Sequence, residues 1–160
     1  MGKVFSGCEV VELAIQIEKN GVEFYKELAL KTGDRKLKDT FEYLAGEEGK
    51  HIEVFKELFN SVCEYKPKEA YPDEYFSYMN SLASQYVFTR KDKGAEIAKT
   101  VKSDMEGIEI GIKAEEDSIN FYEEIKKIVS ESDQSMVGEV IKQEKDHWKK
   151  LTDLKKEMRP

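Results

Sequence analysis

Two histidines, His51 and His147, are the entire imidazole complement of this 160-residue chain. Each follows a glutamate by three positions, in Glu48-Gly49-Lys50-His51 and Glu144-Lys145-Asp146-His147. On a helix, residues three apart share a face about one turn from each other, so each pair can grip one ion from one side. Glu18 and Glu115 precede these pairs by 30 and 29 residues, each in an apolar-rich helical stretch. Four inward-facing carboxylates are very costly unless neutralised or paired. No lysine or arginine stands at a matching inner position, whereas two divalent cations would balance the charge. Carboxylate oxygen plus imidazole, with no thiolate, favours iron or manganese over structural zinc. Glu18 and Glu115 are expected as terminal ligands and Glu48 and Glu144 as bridges, with His51 and His147 each completing one ion. Two ions bridged in this way can share electron transfer to a bound oxygen species.

The elements that must position these groups repeat. The stretch around Glu18 aligns with that around Glu115 at an offset of 97, which superimposes Phe24-Tyr25 on Phe121-Tyr122. Ser6-Gly7-Cys8-Glu9 and Ser103-Asp104-Met105-Glu106 both have the Ser-x-x-Glu form of a helix-capping box. An offset of 96 then places Glu48 on Glu144 and His51 on His147. Two copies of one helical hairpin account for this pattern. Apolar residues at three- and four-residue spacing, such as Leu13, Ile17, Phe24 and Leu28, or Leu37, Phe41, Leu44 and Phe55, predict four long helices over about 7–31, 35–61, 103–130 and 134–157. Gly33-Asp34 supplies a stop and an N-cap, and the Ser130–Asp133 cluster separates the second pair. With a turn near residue 33, Glu18 and Glu48 each lie about 15 residues from it and are therefore level; Glu115 and Glu144 are likewise level about a turn near 130.

The expected domain is a single all-α unit over residues 1–160: hairpin 1 at about 7–61, a crossover at about 62–102, and hairpin 2 at about 103–157. A glutamate from each of two helices and a Glu-x-x-His from each of the other two is the inward-facing ligand set of di-iron and di-manganese carboxylate bundles. A bundle with one long crossover is the ferritin-like arrangement. A crossover of that length should hold structure of its own. Short helices are predicted over Asp73–Ser84 and Lys93–Val101, with Tyr75, Phe76, Met79 and Leu82 as a buried stripe.

Tyr25 and Tyr122 lie seven residues after Glu18 and Glu115, on the same helix faces. Their hydroxyls either bond ligand carboxylates of the opposite hairpin, relay electrons, or serve as ordinary core phenols. Gly21, Gly46, Gly49 and Gly111 imply close packing or open space. Glu47, Glu53, Glu109 and Glu116 are expected to face solvent, and Trp148 to be a packing residue. Cys8 and Cys63 would approach one another in an antiparallel hairpin. Cytosolic thiols stay reduced, so the expectation is two small buried hydrophobes and not a disulfide.

A net charge of −7 and a pI near 5.1 argue against nucleic acid as a partner. No apolar run reaches the roughly 18 residues of a membrane span. The first residues, Met1 to Ser6, hold no signal-peptide core, so a cytoplasmic location is expected.

Taken as a set, Glu18, Glu48-x-x-His51, Glu115 and Glu144-x-x-His147 make the chain resemble the rubrerythrin branch of the ferritin-like superfamily, over nearly its whole length apart from the crossover. The resemblance implies a di-iron centre that reduces hydrogen peroxide or reacts with dioxygen in oxidative-stress defence, and a homodimer. Two features depart from that pattern. Rubrerythrins carry a C-terminal rubredoxin domain with iron in four cysteines, whereas this sequence ends at Pro160. The electrons are therefore expected from a separate donor such as rubredoxin. Rubrerythrins also place an extra glutamate three residues after the third-helix ligand, where this chain has Ser118. The six-ligand set is in this respect closer to other ferritin-like oxidases. Iron storage or ferroxidase activity, and a non-catalytic metal-stabilised bundle, are the alternative readings.

Overall fold

The computed structural model of the chain describes residues 7–64, 78, 81–86 and 88–158. Four long helices, α1 (Gly7–Lys31), α2 (Arg35–Glu64), α4 (Asp104–Ile128) and α5 (Glu131–Met158), are joined through a connection that contains α3 (Lys93–Thr100). No strand occurs among the described residues. The long helices sit where the periodicity predicts them, with α2 running to Glu64 and α5 starting earlier, at Glu131.

Local chemistry sets the helix ends. Asp34 Oδ1 accepts the Leu37 N–H at 3.0 Å, the bond expected of an N-cap. Gly33 adopts no positive φ, so the α1–α2 turn closes without a left-handed glycine. At α4, Ser103 Oγ accepts the Glu106 N–H at 3.1 Å. Glu106 returns its carboxylate to the N–H of Lys102, one residue before the cap, so the capping box is shifted by one position. The matching box at Ser6 lies outside the described residues. Ser130 starts α5 by accepting the N–H groups of Asp133 and Gln134 on its carbonyl, which moves the helix start three residues ahead of the predicted one.

Side-chain contacts establish the arrangement. The Ser61 hydroxyl bonds Asp133 and Lys36 pairs with Glu157, so α2 and α5 run antiparallel. Tyr25 reaches Glu115 while Tyr122 reaches Glu18, so α1 and α4 are antiparallel as well. α2 therefore ends at the opposite end of the bundle from the start of α4, and the crossover must travel its length. The core is a continuous apolar seam that includes Ile17, Phe24, Leu28, Phe41, Leu44, Phe55, Phe121 and Leu151. Of the predicted stripe, Leu13 is only partly buried.

The crossover is fastened to α1 by two side chains. Asn20, fully buried, donates to the carbonyls of Phe88 (2.7 Å) and Arg90 (2.6 Å) and accepts the N–H of Gly94 (3.2 Å). A Cβ at Gly94 would run into the backbone of Asn20, so only glycine permits this approach. Lys31 donates to the carbonyls of Ala98, Lys99 and Val101, placing a cation at the C-terminal end of α3. The predicted Lys93–Val101 helix is thus present, ending one residue earlier with Val101 as its C-cap. In the other predicted segment residues 81–84 are helical and Leu82 packs against the core, while Tyr75, Phe76 and Met79 lie outside the described residues.

One expectation is overturned. Cys8 and Cys63 form a disulfide, with Cα atoms 5.3 Å apart. The antiparallel hairpin brings the start of α1 against the end of α2, within the range a disulfide spans. Neither residue is a buried hydrophobe, since Cys63 is exposed and Cys8 is half-buried. No helix among the described residues is long and apolar enough to cross a membrane.

Candidate metal centre

The four long helices each turn their chemistry-bearing positions to one point midway along the bundle. Glu18 and Glu115 come from α1 and α4, and the two Glu-x-x-His pairs come from α2 and α5. All six side chains are at least 96% buried. Their ligand atoms fall into two quartets, Glu18–Glu48–His51–Glu144 and Glu48–Glu115–Glu144–His147, within each of which every atom lies within 4.8 Å of the others.

Both quartets contain Glu48 and Glu144, one oxygen of each turned to either side. His51 Nδ1 lies 3.3 Å from Glu48 Oε2, 3.1 Å from Glu144 Oε1 and 3.5 Å from Glu18 Oε1. His147 Nδ1 lies 3.8 Å from Glu48 Oε1, 3.2 Å from Glu144 Oε2 and 3.8 Å from Glu115 Oε1. The two imidazoles stack with ring centroids 5.7 Å apart. The sequence-derived residues are therefore brought together as a set, with Glu48 and Glu144 central and Glu18 and Glu115 at opposite ends.

The tyrosines cross between the hairpins. Tyr25 of α1 donates to Glu115 Oε1 at 2.7 Å, and Tyr122 of α4 donates to Glu18 Oε1 at 2.6 Å. Each phenol is fully buried, Tyr25 stacked on Phe41 and Tyr122 packed on Phe55. Of the three readings of these residues, the one in which each fixes a carboxylate of the opposite hairpin matches this geometry.

Burial without compensating cations makes the cluster electrostatically expensive. Burial, then the Glu144 charge, pushes the Glu18 carboxyl up to about 7. Burial and Glu115 push Glu144 to about 8. Glu48 and Glu115 are held well above the usual carboxylate range, chiefly by burial. Burial opposes charge on His51, but the adjacent carboxylates of Glu144, Glu18 and Glu48 outweigh it and raise its pKa. Burial prevails at His147, which is lowered; the Glu48 charge opposes the shift and the His51 charge adds to it. Glu115 Oε2 is a buried oxygen with no hydrogen-bond partner. An unpaired carboxylate oxygen beside three further buried carboxylates is what a pair of cations would satisfy. The residues fit such a pair.

Small residues line the α1/α4 side. A Cβ at Gly21 would press on Glu48 Cγ at 3.3 Å, and one at Gly111 would meet Leu151 and the Tyr25 hydroxyl. Gly46 and Gly49, by contrast, face open space. A cavity bounded by Gly21, Glu48, Phe88, Glu115 and Ser118 offers about 10 Å³ to the centre of a water-sized molecule, room for about one. Ser118 bonds the carbonyl of Ala114, one turn back, and presents no carboxylate here.

Several neighbours escaped the sequence reading. Gln143 Oε1 lies 2.7 Å from His51 Nε2, and Gln143 Nε2 donates to Glu139 Oε1 at 3.3 Å. Its one signal is being a neutral amide within the charged run Lys142-Gln143-Glu144-Lys145-Asp146. Phe88, which closes the cavity from the crossover, carried none. Glu53, Glu109 and Glu116 face solvent as expected, whereas Glu47 is half-buried and pairs with Lys50. Trp148 is more exposed than a packing residue, and its indole N–H donates to Glu116 at 3.0 Å.

A family model described as Rubrerythrin matches residues 9–155. Among solved structures, a Thermotoga maritima chain described as a ferritin-like diiron-carboxylate protein is 27% identical, covering 99% of this chain and 100% of its own, with a TM-score of 0.73. A hypothetical protein from Pyrococcus furiosus is 25% identical, covering 95% of this chain and 89% of its own, with a TM-score of 0.68. Among curated proteins nothing matches.

Proposed function

This chain belongs to the rubrerythrin family, and from that premise we propose that it is a di-iron carboxylate oxidoreductase that reduces hydrogen peroxide or dioxygen with electrons from a separate donor. The observation that carries the reading is the pair of buried ligand quartets sharing Glu48 and Glu144. When bound, two ferrous ions supply the two electrons that such a reduction consumes; manganese suits the same donors.

In this reading Glu48 and Glu144, which belong to both quartets, would be shared by the two ions. Glu18 and His51 would complete one position, and Glu115 and His147 the other. Tyr25 and Tyr122 hold Glu115 and Glu18 in place, and Glu115 Oε2 stands without a partner. A preset geometry of this kind spares the centre reorganisation during turnover. The six ligands are buried from bulk water, and the cavity beneath Phe88 has room for about one water-sized molecule and not for a bulky substrate. Cys8 and Cys63 are joined to each other and offer no thiolate to an iron site, and in this reading the electrons come from a separate donor.

The test is anaerobic. Iron-loaded protein should consume peroxide when supplied with reduced rubredoxin or a reduced dye, and Glu48→Ala should abolish that consumption. Turnover that survives the substitution overturns the reading.

A further inference from the structure

We propose that Gln143 is a positioning residue for the metal ion beside His51: its amide oxygen accepts a hydrogen bond from the Nε2–H of His51 and so commits Nδ1 to the metal. The inference rests on the metal centre proposed above.

The geometry runs in one direction along a chain of four groups. His51 Nδ1 faces the carboxylates of Glu18, Glu48 and Glu144, so an ion bound there must use Nδ1. A neutral imidazole that ligates through Nδ1 carries its proton on Nε2. That nitrogen points away from the cluster, at Gln143 Oε1, 2.7 Å away. An amide can present either its oxygen or its nitrogen. Here the choice is set by Glu139, whose carboxylate accepts and cannot donate, and which takes the amide N–H at 3.3 Å. Glu139 thereby turns the Gln143 oxygen toward His51. Partners of this kind behind a ligating histidine fix its tautomer and ring plane and raise its donor strength.

The repeat makes the arrangement one-sided. The residue equivalent to Gln143 in the first hairpin is Glu47, at the same offset of 96 that relates the Glu-x-x-His pairs. The first hairpin thus has a carboxylate, paired with Lys50, at the place where the second has an amide bonded to a histidine. Substitution at Gln143 should therefore weaken one ion and spare the other, which supplies an internal control.

The test is titration of metal-free protein with Co²⁺, followed by the absorption of the bound ion and by calorimetry. Wild type should bind two ions. Gln143→Leu, which removes the acceptor, should weaken one of them by roughly 10–100-fold while the other keeps its affinity. Gln143→Glu, which restores an acceptor, should bring both back close to wild type. If Gln143→Leu fails to fold, Gln143→Met serves the same purpose. Two ions bound by the acceptor-free variant with unchanged affinity would overturn the proposal, as would equal weakening of both or failure of Gln143→Glu to restore binding. A wild-type protein that binds no ion would overturn the metal centre itself, and this inference with it.

Discussion

A glutamate on the surface of a helix needs only water, whereas the buried Glu18 and Glu115 each accept a hydrogen bond from a phenol of the opposite hairpin. Tyr25→Phe removes the hydroxyl that Glu115 accepts, a hydrogen bond to a charged group worth about 1.5–3 kcal/mol. We expect the variant to bind metal more weakly at the His147 side and to retain part of the turnover that Glu48→Ala loses, as measured by metal titration and peroxide consumption. The same burial sets the pH response of the metal-free protein. Glu18 and Glu144 have folded-state pKa values of about 7 and about 8, above the ordinary 4.5. A raised folded pKa contributes stability that is present below the unfolded value and is lost as pH rises through the folded one. Melting in chelator should therefore show lower stability at pH 8.5 than at pH 5.5, and bound metal should reverse the trend. A melting temperature in chelator that rises over that interval would contradict the burial argument. The six ligands were legible because their spacing and their repetition are local facts of the chain. Gln143 was not, since its partner His51 stands 92 residues away and no spacing rule reaches across that separation.

Helices were legible for the same reason, being built from contacts three and four residues apart. The route of the crossover was not. It depends on Asn20, a residue that within the α1 pattern resembles any polar interruption of an apolar face. In the folded chain Asn20 satisfies two carbonyls and one N–H of a segment about 70 residues later. Asn20→Ala would leave those buried backbone groups without partners, at a cost of about 3 kcal/mol in total. The expected outcome is a melting temperature lower by about 10 °C, together with faster proteolysis between residues 64 and 104 than elsewhere. Unchanged proteolysis there would show that Phe88 and Lys31 suffice to hold the segment. Pairing of Cys8 with Cys63 was misjudged from compartment when hairpin geometry already placed the two ends together.

At the scale of the whole molecule, the disulfide closes a loop of 55 residues across hairpin 1. The chain-entropy relation assigns such a closure about 4 kcal/mol. Reduction, or Cys8→Ser, should lower the melting temperature by about 10 °C without changing metal stoichiometry, because the sulfurs lie at the end of the bundle and the ligands at its middle. Loss of metal on reduction would instead mean that this end of the bundle communicates with its middle. The crossed phenols carry a longer consequence. Two identical helical peptides pairing about a twofold axis could arrange the same six ligands and the same exchange of tyrosines, but every residue would then be obliged to appear twice. Joining both copies in one gene lifts that obligation. An amide can stand behind one imidazole while an acid stands in the corresponding place, so that the two halves of a nearly symmetric cage would offer different surroundings to the ions they hold.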